Sequence, residues 1–163
     1  MNIHTLNGKE KLFGYNNIVL YFELQVKNTP QGFNYNRLLN YLVTRQITIK
    51  EEKNIGNSPF MQDFQKNPVA FFCFKPKKQN NVNYSTLAAL LYHLRNSFAH
   101  ALVEITMIGR QQYYCFMDIS PSSNKKQGAN PQVTMIGQIP KSLFDKFIDE
   151  IKANRKNTNQ NEE

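Results

Sequence analysis

Between Leu91 and Ala101 the chain reads LYHLRNSFAHA, placing His93, Arg95, Asn96 and His100 among residues that are otherwise apolar or small. Two of the protein's three histidines lie in this stretch. An arginine packed into a contact needs an anion, yet no carboxylate occurs between Tyr84 and Val103. A phosphate could supply what the segment lacks. The plainer reading is an arginine and a histidine that serve as a hydrogen-bonded pair between packed elements, because the two residue types recur at this spacing by chance.

Leucine spacing predicts a helix through VNYSTLAALLYHLRNSFAHA. At about 100° per residue, Leu87, Leu91, Leu94 and Phe98 share one side, with Ala101 and Leu102 at its margins. Tyr92, Asn96, Ala99 and His100 fall opposite, together with Ala89; His93 lies nearby and Arg95 projects from the flank. That second face has neither lysine nor glutamate and is padded with alanine. Such a face is expected to meet a partner element or a second copy of the chain.

LRNSFAHA, Leu94 to Ala101, resembles the signature of the HEPN superfamily: an arginine followed directly by a polar residue, then a histidine after a short gap. Arg95, Asn96 and His100 fill these places, and the small Ala99 and Ala101 fit the usual surroundings of the histidine. The order of elements, with helices before the motif, strands after it and a closing helix, is similar to that of small stand-alone HEPN proteins of mobile elements. The resemblance implies a mainly α (α+β) fold, a HEPN-like helical bundle with a three-stranded antiparallel β-meander between the motif helix and the C-terminal helix.

The resemblance further implies a homodimer in which two motif helices face each other, and a metal-independent endoribonuclease that needs no cofactor. Arg95 would bind the scissile phosphate through its planar guanidinium. His100 would exchange protons with the 2′-hydroxyl or the leaving 5′-oxygen. Asn96 would orient His100 or the phosphate. Products would end in a 2′,3′-cyclic phosphate, DNA would survive, and the biological role would be that of a toxin or defence effector, with an antitoxin or regulator as a possible partner. Tyr92 and His93 lie outside the signature; they are candidate RNA contacts or dimer-packing residues. The competing expectation is a non-catalytic HEPN module that binds RNA or nucleotide or mediates assembly.

The elements around the motif are less uniform. NNIVLYFELQVKN (residues 16–28) reads as helix from Ile18, Val19, Phe22 and Val26, with a strand as the alternative. NYNRLLNYLVTRQ reads as helix, with Leu38, Leu39, Leu42 and Val43 as its stripe. Ser58 and Pro59 suggest a capped short helix over FMQDFQK. VAFFCF (residues 69–74) is buried but unassignable by period. VEITMI, YYCFMDI and QVTMIGQI read as three antiparallel strands, joined by a short turn and then by SPSSNKKQGANP. PKSLFDKFIDEIKANR reads as a last helix with basic residues at its C-terminal end.

With 163 residues the chain fits one domain, expected over residues 1–153, followed by a polar tail at residues 154–163. Eight tyrosines, twelve phenylalanines and 40% hydrophobic residues place it in the globular class. Nothing approaches a transmembrane span or a secretory signal, so a cytoplasmic protein is expected. Cys73 and Cys115 stand in separate apolar strings and read as buried reduced thiols. A net charge of +8 and a pI near 9.5 favour polyanionic partners. The lysines that could guide RNA, or lie at a dimer interface, are Lys75, Lys77, Lys78, Lys125 and Lys126.

Overall fold

The structure, a computed structural model, describes residues 3–55, 69–120 and 132–155. The expected helix at Ser58 and Pro59, the loop carrying Lys125 and Lys126, and the tail beyond Arg155 lie outside the described residues.

A six-stranded mixed sheet dominates the molecule. Its strands are β1 (Ile3–Thr5), β2 (Ile47–Glu51), β3 (Ala70–Phe74), β6 (Val103–Ile108), β7 (Gln111–Ser120) and β8 (Gln132–Pro140), in the spatial order β1-β6-β7-β8-β3-β2. Only β2 and β3 run parallel among these neighbours. A separate hairpin pairs β4 (Lys78–Gln79) with β5 (Val82–Asn83), closed by Asn80 and Asn81, both with positive φ as a tight two-residue turn requires. This sheet corrects the expected helical bundle. The three strands after the motif do pair in sequence, but they form the middle of a six-stranded sheet, flanked by β1 on one side and β3 and β2 on the other. The fold is α+β with a substantial sheet.

Apolar residues explain the layering. In β3 every side chain is buried: Phe72 and Phe74 join the main core beneath the helices, while Phe71 and Cys73 join a smaller cluster with Ile55 and Ile136. A strand buried on both faces has no alternation to read. Gly137 in β8 allows this packing, since a Cβ there would come within 2.4 Å of the Phe72 ring.

Helix α1 (Gly8–Gly14) opens with a capping box: Asn7 Oδ1 accepts from the Glu10 amide at 2.9 Å, and Glu10 Oε1 accepts from the Asn7 amide at 2.8 Å. The coil then widens into π-helical turns at Tyr15–Val19 and Phe22–Val26. Gly14, Ile18, Phe22 and Val26 are buried at strict steps of four. In an α-helix each such step drifts by about 40°; i→i+5 turns absorb the drift and keep all four on the core. Gly14 also lets the helix that carries Phe98 come close, because a Cβ would stand 2.2 Å from the Phe98 ring.

Helix α2 (Tyr35–Arg45) buries Leu38 and Leu42, but Leu39 and Val43 of the expected stripe are exposed. Helix α3 (Thr86–Ala99) carries the motif, and its N-cap Ser85 accepts from the Ala88 amide at 3.3 Å. Helix α4 (Lys141–Ala153) packs Phe144, Phe147, Ile148 and Ile151 on the sheet, and its Lys141 pairs with Glu10.

Candidate functional site

Helix α3 lies between the sheet and the π-helical turns, so much of its surface is covered by its own chain. Leu87, Leu91 and Leu94 are buried, with Phe98 half-buried at the end of the stripe. Tyr92, expected on the outward face, packs on Phe22 with ring centroids 5.9 Å apart. Lys77 Nζ sits 4.3 Å from the centre of the Tyr92 ring, which brings part of the KPKK segment to the motif helix. Lys75 Nζ bonds Gln132 at 3.1 Å, and Lys78 is exposed on β4.

A chain of polar contacts runs through the motif. Glu23 Oε1, from the second π-helical turn, accepts from Arg95 Nε at 2.9 Å and from the adjacent Nη2 at 2.8 Å. Arg95 Nη1 donates to Asn96 Oδ1 at 2.9 Å, and Asn96 Nδ2 donates to Asp118 Oδ2 at 3.1 Å. The same Asp118 oxygen lies 2.7 Å from His93 Nδ1, while His93 Nε2 lies 2.8 Å from the Lys75 carbonyl oxygen. The carboxylate that the motif helix lacks is thus supplied from 72 residues earlier in the chain.

The protonation pattern follows from the partners. Burial alone would push the Asp118 carboxyl up, but hydrogen bonds from His93 and Asn96, the charge on His93 and a further bond from Thr134 hold it below the usual aspartate value. An ionised Asp118 can only accept, and so can the Lys75 carbonyl. Each ring nitrogen of His93 therefore faces an acceptor, the Asp118 carboxylate at Nδ1 and the Lys75 carbonyl at Nε2. His93 is 3% exposed and closed off from solvent. Its place is in the framework that aims Asn96 and Arg95.

Arg95 remains about a third exposed at its side chain. A guanidinium offers five N–H donors. The contacts to Glu23 and Asn96 use one each on Nε, Nη2 and Nη1, leaving an N–H on each of the two terminal nitrogens for an anion.

His100 occupies a different setting. A pair of bonds closes α3 beneath it, from the Leu102 amide to the Ser97 carbonyl at 2.8 Å and from the Ala101 amide to the Phe98 carbonyl at 3.3 Å. This is the Schellman arrangement, with Ala101 in the left-handed region at φ 56°. His100 is the C-cap and is exposed, its imidazole unpartnered among the described residues. Arg95 and Asn96 are in direct contact; His100 shares the helix end with them, but no described contact joins its ring to either.

Sequence reasoning missed Glu23 and Asp118. Asp118 had a signal: a lone acid inside the apolar strand YYCFMDI must find a cation or strong donors if it is buried. Glu23 had none, because it lies in an amphipathic stretch where an exposed glutamate is ordinary. Among the described residues no three His, Cys, Asp or Glu side chains cluster as metal ligands, and no helix is long and apolar enough to cross a membrane. Compared with protein-family models, curated proteins and solved structures, the chain matches none.

Proposed function

We propose that this protein is an endoribonuclease whose own side chains carry the reaction, acting at a site assembled from two copies of the chain. The observation that carries this reading is the pairing of a guanidinium held about a third exposed with unused donors and an unpartnered, exposed imidazole at the same helix end, among the described residues. Arg95 binds the scissile phosphate and offsets charge as it builds. The ribose 2′-oxygen attacks phosphorus as the bond to the 5′-oxygen breaks. One His100 accepts the 2′-proton, and its counterpart from the second copy donates a proton to the departing oxygen. A five-residue step on a helix separates side chains by about 140°, so two copies supply an acid, a base and a clamp more readily than one. The resemblance that suggested this chemistry rests on Leu94 to Ala101 alone, since the element order that extended it belongs to a different architecture.

One observation favours a second reading, in which the chain holds RNA without cutting it: Glu23 already neutralises Arg95. The deciding experiment incubates purified protein with RNA in excess EDTA and examines the ends. New 2′,3′-cyclic phosphate termini that vanish in Arg95→Ala and His100→Ala support the nuclease. Retarded but intact RNA supports the binding protein, and cleavage surviving in both variants sinks the assignment of residues.

A further inference from the structure

The strict four-residue register that buries Gly14, Ile18, Phe22 and Val26 also aligns a second row, Lys11, Tyr15, Val19 and Glu23, on the flank of the same coil. Three of these residues, Lys11, Tyr15 and Val19, line one wall of a cavity of about 630 Å³. Phe98, Ala99 and Ala101 contribute to the facing wall. Ala99 and Ala101 bracket His100 in sequence. One turn back from Ala99 on α3 is Arg95, whose guanidinium is bonded to Glu23, the residue that ends the opposite row. Arg95 and Glu23 are not on the lining; each lies one helical turn beyond a residue that is, Ala99 and Val19.

We propose that this groove is a nucleobase-binding subsite that receives one unstacked base of a single-stranded RNA. This rests on the ribonuclease reading for its ligand class. The volume lies within the range of small-ligand sites, and the walls are mostly apolar, as a planar base requires. Tyr15 is 52% exposed, so its ring is available for stacking. Lys11 is the charged residue on the lining, and its sign matches a polyphosphate chain. Ala99 and Ala101 leave the space open because their side chains end at Cβ. A base held here lies one helical turn from Arg95 and beside the two neighbours of His100. Duplex RNA, with its bases stacked and paired, cannot enter.

The test measures binding of a short fluorescent single-stranded oligoribonucleotide, and of a duplex of the same strand length, to the full chain carrying His100→Ala, so that the RNA stays whole. Tyr15→Ala and Ala99→Leu, both at exposed positions, are then added singly. Each is expected to weaken single-strand binding about tenfold, the scale of one lost base stack, while duplex binding is unchanged. Tyr15→Phe keeps the affinity, because the ring and not the hydroxyl stacks. Unchanged single-strand affinity in both variants overturns the subsite. So does loss of a dimer in sedimentation with RNA affinity retained, which makes the groove a contact between copies. Cleavage by the His100-containing protein is scored separately. Groove-dependent binding without cleavage removes the nuclease and leaves the subsite; normal cleavage by Ala99→Leu removes the subsite and leaves the nuclease.

Discussion

His93 and Asp118 form an ion pair sealed between helix α3 and strand β7, Nδ1 to Oδ2 at 2.7 Å, with each side chain 4% exposed. The pair tolerates its removal from water because every remaining polar direction is used: His93 reaches a backbone carbonyl, and Asp118 receives Asn96 and Thr134. Removing either partner strands the other. His93→Ala and Asp118→Ala are each expected to cost about 3–5 kcal/mol, read by urea denaturation. Losses under about 1 kcal/mol in both would mean the pair is open to water.

The same pair sets an acid limb of stability. Asp118 titrates below its usual value in the fold, so its contribution is complete above the unfolded value of about 3.9 and is lost as pH falls through the folded value. Glu10 adds in the same sense: burial raises its carboxyl, and hydrogen bonds from Lys141 and Asn7 more than offset that. The melting temperature should therefore fall steeply below about pH 4. In Asp118→Asn the fall should be shallower, and a slope as steep as the parent's would remove Asp118 from the account.

Asn96 donates to Asp118 through Nδ2 while accepting from Arg95 through Oδ1. Asn96→Asp turns the donor into a second carboxylate beside the first, whereas Asn96→Ala only removes the bridge. At neutral pH the aspartate variant should be the less stable of the two, and it should recover on mild acidification as the added carboxyl takes a proton. Parallel thermal melts at pH 7 and pH 5 decide this; an order reversed at pH 7 contradicts the geometry.

Gly14→Ala sets two effects against each other. Helix propensity favours alanine by about 0.5–1 kcal/mol, but the new Cβ would meet the Phe98 ring at 2.2 Å, and overpacking costs about 1–3 kcal/mol. The clash should win, with a lower denaturation midpoint partly restored by Phe98→Leu. A stabilised single variant would show that α1 and α3 can separate freely.

Ala101→Gly should act oppositely. A side chain in the left-handed region costs roughly 1–2 kcal/mol, and glycine takes that conformation at the C′ position without penalty. The expected change is a gain of up to about 1 kcal/mol, after glycine's extra chain entropy. Clear destabilisation in a thermal melt would mean that the helix end is not closed in this way.

The architecture divides into what local patterning carries and what it does not. Helix α3 was legible because its leucines repeat at helical spacing, and α4 because its phenylalanines and isoleucines do the same. Strands β6 to β8 were legible from β-branched and aromatic residues between turn signals. The cysteines read as buried thiols are free and buried. The strand at residues 69–74 stayed ambiguous because both its faces are covered, so no period survives. The π-helical turns left only a faint trace, the strict step of four, which passes for an ordinary helical stripe over so short a run.

The sequence by itself determined where the chemically able residues sit along the chain: Arg95, Asn96 and His100 at the end of one helix, in a strongly basic protein. Only the tertiary structure decided their states. Glu23 lies 72 residues from Arg95, Asp118 lies 25 residues from His93, and β2 pairs in parallel with β3 across a long connection. Local propensity carries no record of such pairings, because they arise from which buried charges and strand edges must satisfy one another once the chain has closed. That is why a motif legible as a short run of residues sits on a six-stranded sheet instead of a helical bundle, and why His93 is sealed against Asp118 while His100 faces water.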